Sequence, residues 1–262
     1  MKPVTLITGA SAGIGAALAR VFAANGHDLV LLARREERLN ALAEEIAASG
    51  RPRPAVLGID LARGDVVSLI GAELRARELE PAIVVNNAGF GLTGAAATLH
   101  RDEQLEMIDL NVRTLTALSL GFVDGLARHR GGILNVASVA AFLPGAGMAV
   151  YFASKAYVLS FTEALHREFK DHGIKVTALC PGPVPTEFQE RAGMRLDRAQ
   201  QRFALPPDEV AQIGYDGFMR GKRVVVAGTG NRIAVALLRF IPHALLLSAM
   251  NRHMRDNGGA AA

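Results

Sequence analysis

Short apolar runs alternate along the chain with longer segments in which apolar positions recur every three or four residues. The runs at 4–8, 28–33, 55–58, 82–86, 132–137, 175–180 and 223–227 predict strands buried on both faces. The segments at 13–24, 36–49, 66–78, 99–128, 150–172 and 207–220 predict helices. In the second of these, Leu39, Leu42, Ala43 and Ile46 form one apolar stripe with charges opposite. Strands separated by such helices require right-handed crossovers, which predicts an α/β fold with a doubly wound, seven-stranded parallel sheet. No linker rich in Pro, Gly or Ser divides the pattern, and no repeat occurs, so 1–228 reads as one domain.

Two pieces fall outside the alternation. Residues 187–207 follow the sixth strand with mixed charge and few apolar anchors, and read as a mobile segment over the strand ends, where such sheets bind ligands. The stretch 229–262 reads as a helical extension. Its apolar part is interrupted by Arg239, Pro242 and His243, so it fails as a membrane span, and Pro242 should separate two short helices. A broad apolar face around Ile233, Leu237, Phe240 and Ile241 is expected to cover the domain core or a partner subunit. Contact with a membrane surface is the alternative.

Composition narrows the classes. Half of the 262 residues are hydrophobic but only 5% are aromatic, so aliphatic side chains carry the core. The net charge of +4 is dispersed, with no run of five or six like charges, and gives nucleic-acid binding no support. The single cysteine, Cys180, excludes an intramolecular disulfide framework and reads as a small buried hydrophobe at a strand end. No signal-like segment precedes the first strand, which points to the cytoplasm. Scattered histidines and one cysteine provide no metal-ligand spacing.

The first strand runs into "TGASAGIG", Thr8 to Gly15, at the opening of a helix. Gly9 can take the positive φ of a tight turn, Gly13 lets backbone approach a pyrophosphate, and Gly15 permits close helix–strand packing. The helix N-terminus then presents free N–H groups and partial positive charge to phosphates. Further on, "YFASK" places Tyr151 and Lys155 one helical turn apart on the same face. A nearby ammonium lowers a phenol's pKa, which suits a general acid and base. Standing alone, the pair would read as an ordinary amphipathic helix. Ser138, however, ends the fifth strand, at the edge where the sheet should place a ligand.

These motifs, with "NNAG" at 86–89, "NV" at 111–112, "NVAS" at 135–138 and "PGPVPT" at 181–186, resemble the short-chain dehydrogenase/reductase family over about residues 4 to 227. The resemblance implies a Rossmann fold and a tetrad of Asn111, Ser138, Tyr151 and Lys155. Tyr151 would give its proton to a carbonyl oxygen that Ser138 also hydrogen-bonds. Lys155 would lower the Tyr151 pKa and bind the nicotinamide ribose, while Asn111 would hold a water in the proton relay. The cofactor would lie along Gly9, Ser11, Gly13, Ile14 and Gly15, with Asp60 and Leu61 at the adenine. Asn87, Ala88 and Gly89 would line its pocket, with Pro181, Gly182, Val184 and Thr186 at the carboxamide end. A homodimer or homotetramer is implied, as is a small carbonyl or alcohol substrate. A dinucleotide-binding sensor or scaffold without turnover is the competing class.

The second strand ends in "ARREER". NAD-preferring relatives carry an Asp where this chain has Ala33, and Arg34 follows, able to make charge-assisted contacts to a 2′-phosphate. NADP(H) is therefore expected over NAD(H), with Arg34 acting largely alone because Ala12 is not basic. Arg35 and Arg38 read as surface charges paired with Glu residues. Phe90, Phe142 and Leu143 would bound a pocket for a hydrophobic carbonyl compound such as a ketone, acyl thioester or steroid. These side chains would alternatively only pack the sheet edge.

Overall fold

In the computed structural model, which describes residues 1–62, 64–194, 198–238, 240–241 and 246–247, the apolar runs form a single seven-stranded parallel sheet. The strands are β1 (Lys2–Thr8), β2 (Leu29–Ala33), β3 (Ala55–Gly58), β4 (Leu79–Asn86), β5 (Gly132–Val136), β6 (Lys175–Cys180) and β7 (Val224–Val226). The helices are α1 (Gly13–Ala24), α2 (Glu36–Ala48), α3 (Val66–Ala76), α4 (Arg101–Ile108), α5 (Leu115–Gly121), α6 (Val123–Arg128), α7 (Ala149–Glu168), α8 (Glu187–Arg191), α9 (Arg198–Phe203), α10 (Pro207–Met219) and α11 (Thr229–Leu238). The sheet order β3-β2-β1-β4-β5-β6-β7 reverses direction between β1 and β4, and a ligand crevice opens at that switch.

Successive strand residues point to opposite faces, and the core divides accordingly. Ile7, Leu31, Leu134 and Leu179 face α1, α2 and α10, whereas Leu6, Val30, Leu32 and Ile133 face α3, α5, α6 and α7. Each such side chain, fully buried, contributes about 1.5–3 kcal/mol. Phe22 anchors the first face, with its ring edge-on to Tyr215 at 4.9 Å and to His27 at 5.0 Å. Cys180 is fully buried, and burial pushes its thiol up to about 12, so it behaves as the small hydrophobe expected.

The expected helix over 99–128 is broken. Residues Asp109–Thr114 form a π-helical turn between α4 and α5, and Phe122 leaves the helical backbone before α6. Residues 187–207 contain α8 and α9, and the extension begins with α11. Arg239, Pro242 and His243 lie outside the described residues. Among the described residues, no helix is long and apolar enough to cross a membrane.

Candidate active site

The carboxyl ends of the strands open into one cleft of about 2320 Å³. A drug-sized pocket holds roughly 300–1,000 Å³, so this cleft has room for a dinucleotide and a second molecule together. Every residue expected to bind cofactor or to react lines it, except Gly15 and Asn111, which stand behind its wall.

The glycine turn is built from the Thr8 side chain. Its hydroxyl accepts hydrogen bonds from the backbone N–H groups of Asn87 (2.9 Å) and Ala88 (3.0 Å), and donates to the Val85 carbonyl. The Asn87 amide returns the tie by donating to the carbonyls of Thr8 (2.9 Å) and Gly9 (3.2 Å). Asn87 thus fixes the turn while lining the cleft. Gly9 and Gly13 have φ of +66° and +55°, which L side chains rarely adopt. A Cβ at Gly15 would collide with the Gly9 carbonyl and the Asn87 amide, so close packing behind the turn requires glycine there. No side chain caps α1 and no acid occupies its first turn, which leaves its N-terminus to an anion.

The four expected catalytic residues converge. Ser138 ends the stretch after β5, where its Oγ accepts from Ala140 N at 3.1 Å and its O–H is left to donate elsewhere. The Lys155 ammonium is buried, donates to the Val136 carbonyl at 2.8 Å, and stands 5.9 Å from the centre of the Tyr151 ring. Burial drives its pKa down to about 8. Burial pushes the Tyr151 phenol up to about 12, and the Ser138 hydroxyl opposes that rise. Asn111 lies in the π-helical turn, at the kind of site where such turns recur. Its amide bonds both the N–H and the carbonyl of Phe90 (3.1 and 2.9 Å) and the Ser154 hydroxyl (3.1 Å).

At the other end of the cleft, Ala33 is buried at the tip of β2 and Arg34 follows on the wall, with no ion-pair partner among the described residues. Asp60 lies beyond it and accepts from Ala62 N at 3.1 Å. Arg35 and Arg38 do pair with a glutamate, but not with their neighbours in sequence. Both grip Glu187 at the start of α8, Arg35 at 2.7 Å. Arg35 also reaches the Ser11 hydroxyl at 3.2 Å, so it belongs to the glycine turn as much as to the surface. Thr186 faces Gly13, and its hydroxyl accepts from Phe188 N to cap α8, with Gln189 completing a capping box.

The substrate end differs in one side chain from expectation. Phe90 and Leu143 line the cleft, but Phe142, partly buried, packs against the core cluster that includes Leu115 and Val158. Phe188 fills the place instead: its ring lies 5.4 Å from that of Tyr151. Arg191, three residues further along α8, lies over the Phe90 ring at 4.3 Å. Neither residue stands in a sequence motif, and only contacts across the cleft bring them to notice.

A family model described as short chain dehydrogenase matches residues 3–196. The chain is 39% identical to sulfoacetaldehyde reductase 2 of Chromohalobacter salexigens, over 72% of this chain and 75% of that one. It is 33% identical to an NADP-dependent 3-hydroxy acid dehydrogenase of Salmonella typhi, over 80% of this chain and 86% of that one. In three dimensions it resembles a short-chain dehydrogenase from Sphingobium yanoikuyae in complex with NADPH. The TM-score is 0.78 and the identity 35%, covering 87% of this chain and 88% of the other.

Proposed function

The chain belongs to the short-chain dehydrogenase/reductase family, and from that membership we propose that it moves hydride between NADP(H) and a carbonyl or secondary-alcohol substrate, with Tyr151 exchanging the proton. The observation that carries this reading is the convergence of Tyr151, Ser138 and Lys155 on the cleft that the glycine turn opens.

The residues present fit the cofactor. A Cβ at Gly9 or Gly13 would intrude on Asn87 or Thr186, and the uncapped α1 N-terminus is suited to a pyrophosphate. Arg34, without an ion-pair partner among the described residues, lines the cleft where the missing acid at Ala33 leaves room for a 2′-phosphate. When bound, NADP(H) supplies hydride in reduction and accepts it in oxidation.

The remaining chemistry belongs to the chain. With its pKa near 12, the Tyr151 phenol is protonated at neutral pH and can donate to a carbonyl oxygen. The Ser138 O–H supplies a second hydrogen bond to that oxygen, because its lone pairs already receive Ala140 N. Lys155, charged below about pH 8, favours the phenolate that forms. Asn111 and Lys155 flank Gly89, which marks the region through which a proton passes on from Tyr151.

Phe90, Leu143, Phe152 and Phe188 on the walls favour a compact apolar substrate body. Relatives named for sulfoacetaldehyde and 3-hydroxy acids extend the proposed class to short carbonyl compounds. The reading includes a homodimer or homotetramer, supported by exposed Leu105, Leu120 and Tyr157 on α4, α5 and α7, and light scattering tests it.

A carbonyl panel followed by NADPH absorbance tests the catalytic assignment. Tyr151→Phe should lose turnover while still binding NADPH. Turnover at the original rate in that variant would overturn the assignment.

A further inference from the structure

Arg191 ends α8 with its guanidinium carbon 4.3 Å from the centre of the Phe90 ring. That platform is rigid: Phe90 is 6% exposed, and Asn111 bonds its backbone on both sides. Cation–π attraction therefore holds the charge at a defined place rather than letting it swing into solvent. The same helix places Phe188 three residues earlier on the same face, its ring 5.4 Å from that of Tyr151. Residues three apart on a helix are about 5–6 Å apart at Cβ, so Arg191 stands about one helical turn from Phe188, the residue whose ring meets that of Tyr151.

Among the described residues no carboxylate lies within ion-pair distance of Arg191. Its electrostatic neighbours are Arg34 and Arg35, which repel it, and Glu106 and Asp60, which attract it more weakly. Burial and the two arginines hold its pKa below the ordinary value. A partly desolvated cation pays for its position unless an anion meets it. Arg35 reaches Ser11 at the glycine turn, whereas Arg191 rests on Phe90, and Phe188 on the same helix meets the Tyr151 ring.

We propose that Arg191 determines substrate specificity by pairing with an anionic group, a carboxylate or sulfonate, carried a few bonds from the carbonyl carbon. Planar guanidinium donors suit both groups, and the apolar walls between Arg191 and Tyr151 accommodate the short chain linking anion to carbonyl. The proposal rests on the reading of Tyr151 as the proton donor, and it selects within the class of short carbonyl compounds.

Succinic semialdehyde and butanal, equal in carbon number and differing in the carboxylate, serve as the probes. With saturating NADPH, the wild-type enzyme should have the lower KM for succinic semialdehyde. Arg191→Met should raise that KM roughly ten- to a hundredfold, the worth of a hydrogen bond to a charged group. Its kcat/KM for butanal and its KM for NADPH should be unchanged, and Arg191→Lys should recover part of the loss. Equal losses on both aldehydes, no wild-type preference, or a raised KM for NADPH would overturn the proposal. Calorimetric titration of the NADPH-loaded protein with 4-hydroxybutyrate and 1-butanal's alcohol, 1-butanol, needs no turnover. A preference for the carboxylate that Arg191→Met abolishes upholds the anion site even if Tyr151 proves dispensable. Absence of that preference sinks the anion site even if Tyr151 proves catalytic.

Discussion

The Glu187 carboxylate holds the Arg35 guanidinium at 2.7 Å, although 152 positions separate the two residues in the chain. The same carboxylate takes Arg38, so one acid ties the segment after β6 to the start of α2 across the cofactor end of the cleft. Both arginines draw the Glu187 pKa below the usual carboxylate range.

With the cofactor placed as proposed, Glu187 would compete with a phosphate for Arg35. Glu187→Gln should tighten NADP⁺ binding about fivefold, in keeping with the ~1 kcal/mol of an exposed charge contact, and leave NAD⁺ binding unaltered. Fluorescence titration of both nucleotides at two salt concentrations measures this. Weaker NADP⁺ binding would show that the tie closes the cleft over the cofactor rather than competing with it.

Arg34 differs from its neighbours because no acid neutralises it among the described residues. Arg34→Ala should lower kcat/KM for NADPH about ten- to a hundredfold while sparing NADH. A uniform loss with both nucleotides would assign the 2′-phosphate to Arg35 instead.

The two pKa directions at the reacting end set opposite pH profiles. In the proposed mechanism reduction uses the phenol, which persists to about pH 12, so its rate should hold until Lys155 loses its proton near pH 8 and decline above that. Oxidation would use the phenolate, whose small fraction grows about tenfold per pH unit below the pKa, so its rate should climb through the neutral range. Profiles of kcat/KM in both directions test the pair, and an oxidation rate indifferent to pH would contradict it.

Thr8 offers a stability test away from the chemistry. Thr8→Val leaves the N–H groups of Asn87 and Ala88 without their acceptor and should cost about 2–4 kcal/mol. Thr8→Ser keeps the hydroxyl and should retain most of that. Urea denaturation of the two variants gives the comparison, and equal stabilities would remove Thr8 from the support of the turn.

Much of this was legible in the chain itself, for reasons of distance. The strands, the glycine turn and the Tyr151–Lys155 pair are patterns within a few residues, where backbone geometry dictates what a spacing means. The π-helical turn around Asn111 carries no glycine or proline to announce it. Phe142 could read as a cleft or a packing residue; its side chain packs against a core cluster on the sheet. Arg35 and Arg38 were expected to pair with glutamates, but which one was not legible: Glu187 reaches them across the cleft from a segment about 150 positions away. Arg191 and Phe188 have meaning only through the rings they meet. Charges and aromatic contacts set by tertiary approach leave no period in a sequence.

Asn231, near the start of α11, is 6% exposed and donates to the carbonyls of Ala227 (2.8 Å) and Phe203 (3.2 Å). It presses on Gly182 so closely that any Cβ there would meet its amide. The last helix is thus a fastener, while Ile233 and Leu237 of its apolar face stay exposed: one amide joins the end of β7, the end of α9 and the turn after β6. A chain shortened at Gly228 would lose that joint along with the apolar face. Shortening after Leu238 would keep the joint and test the face alone.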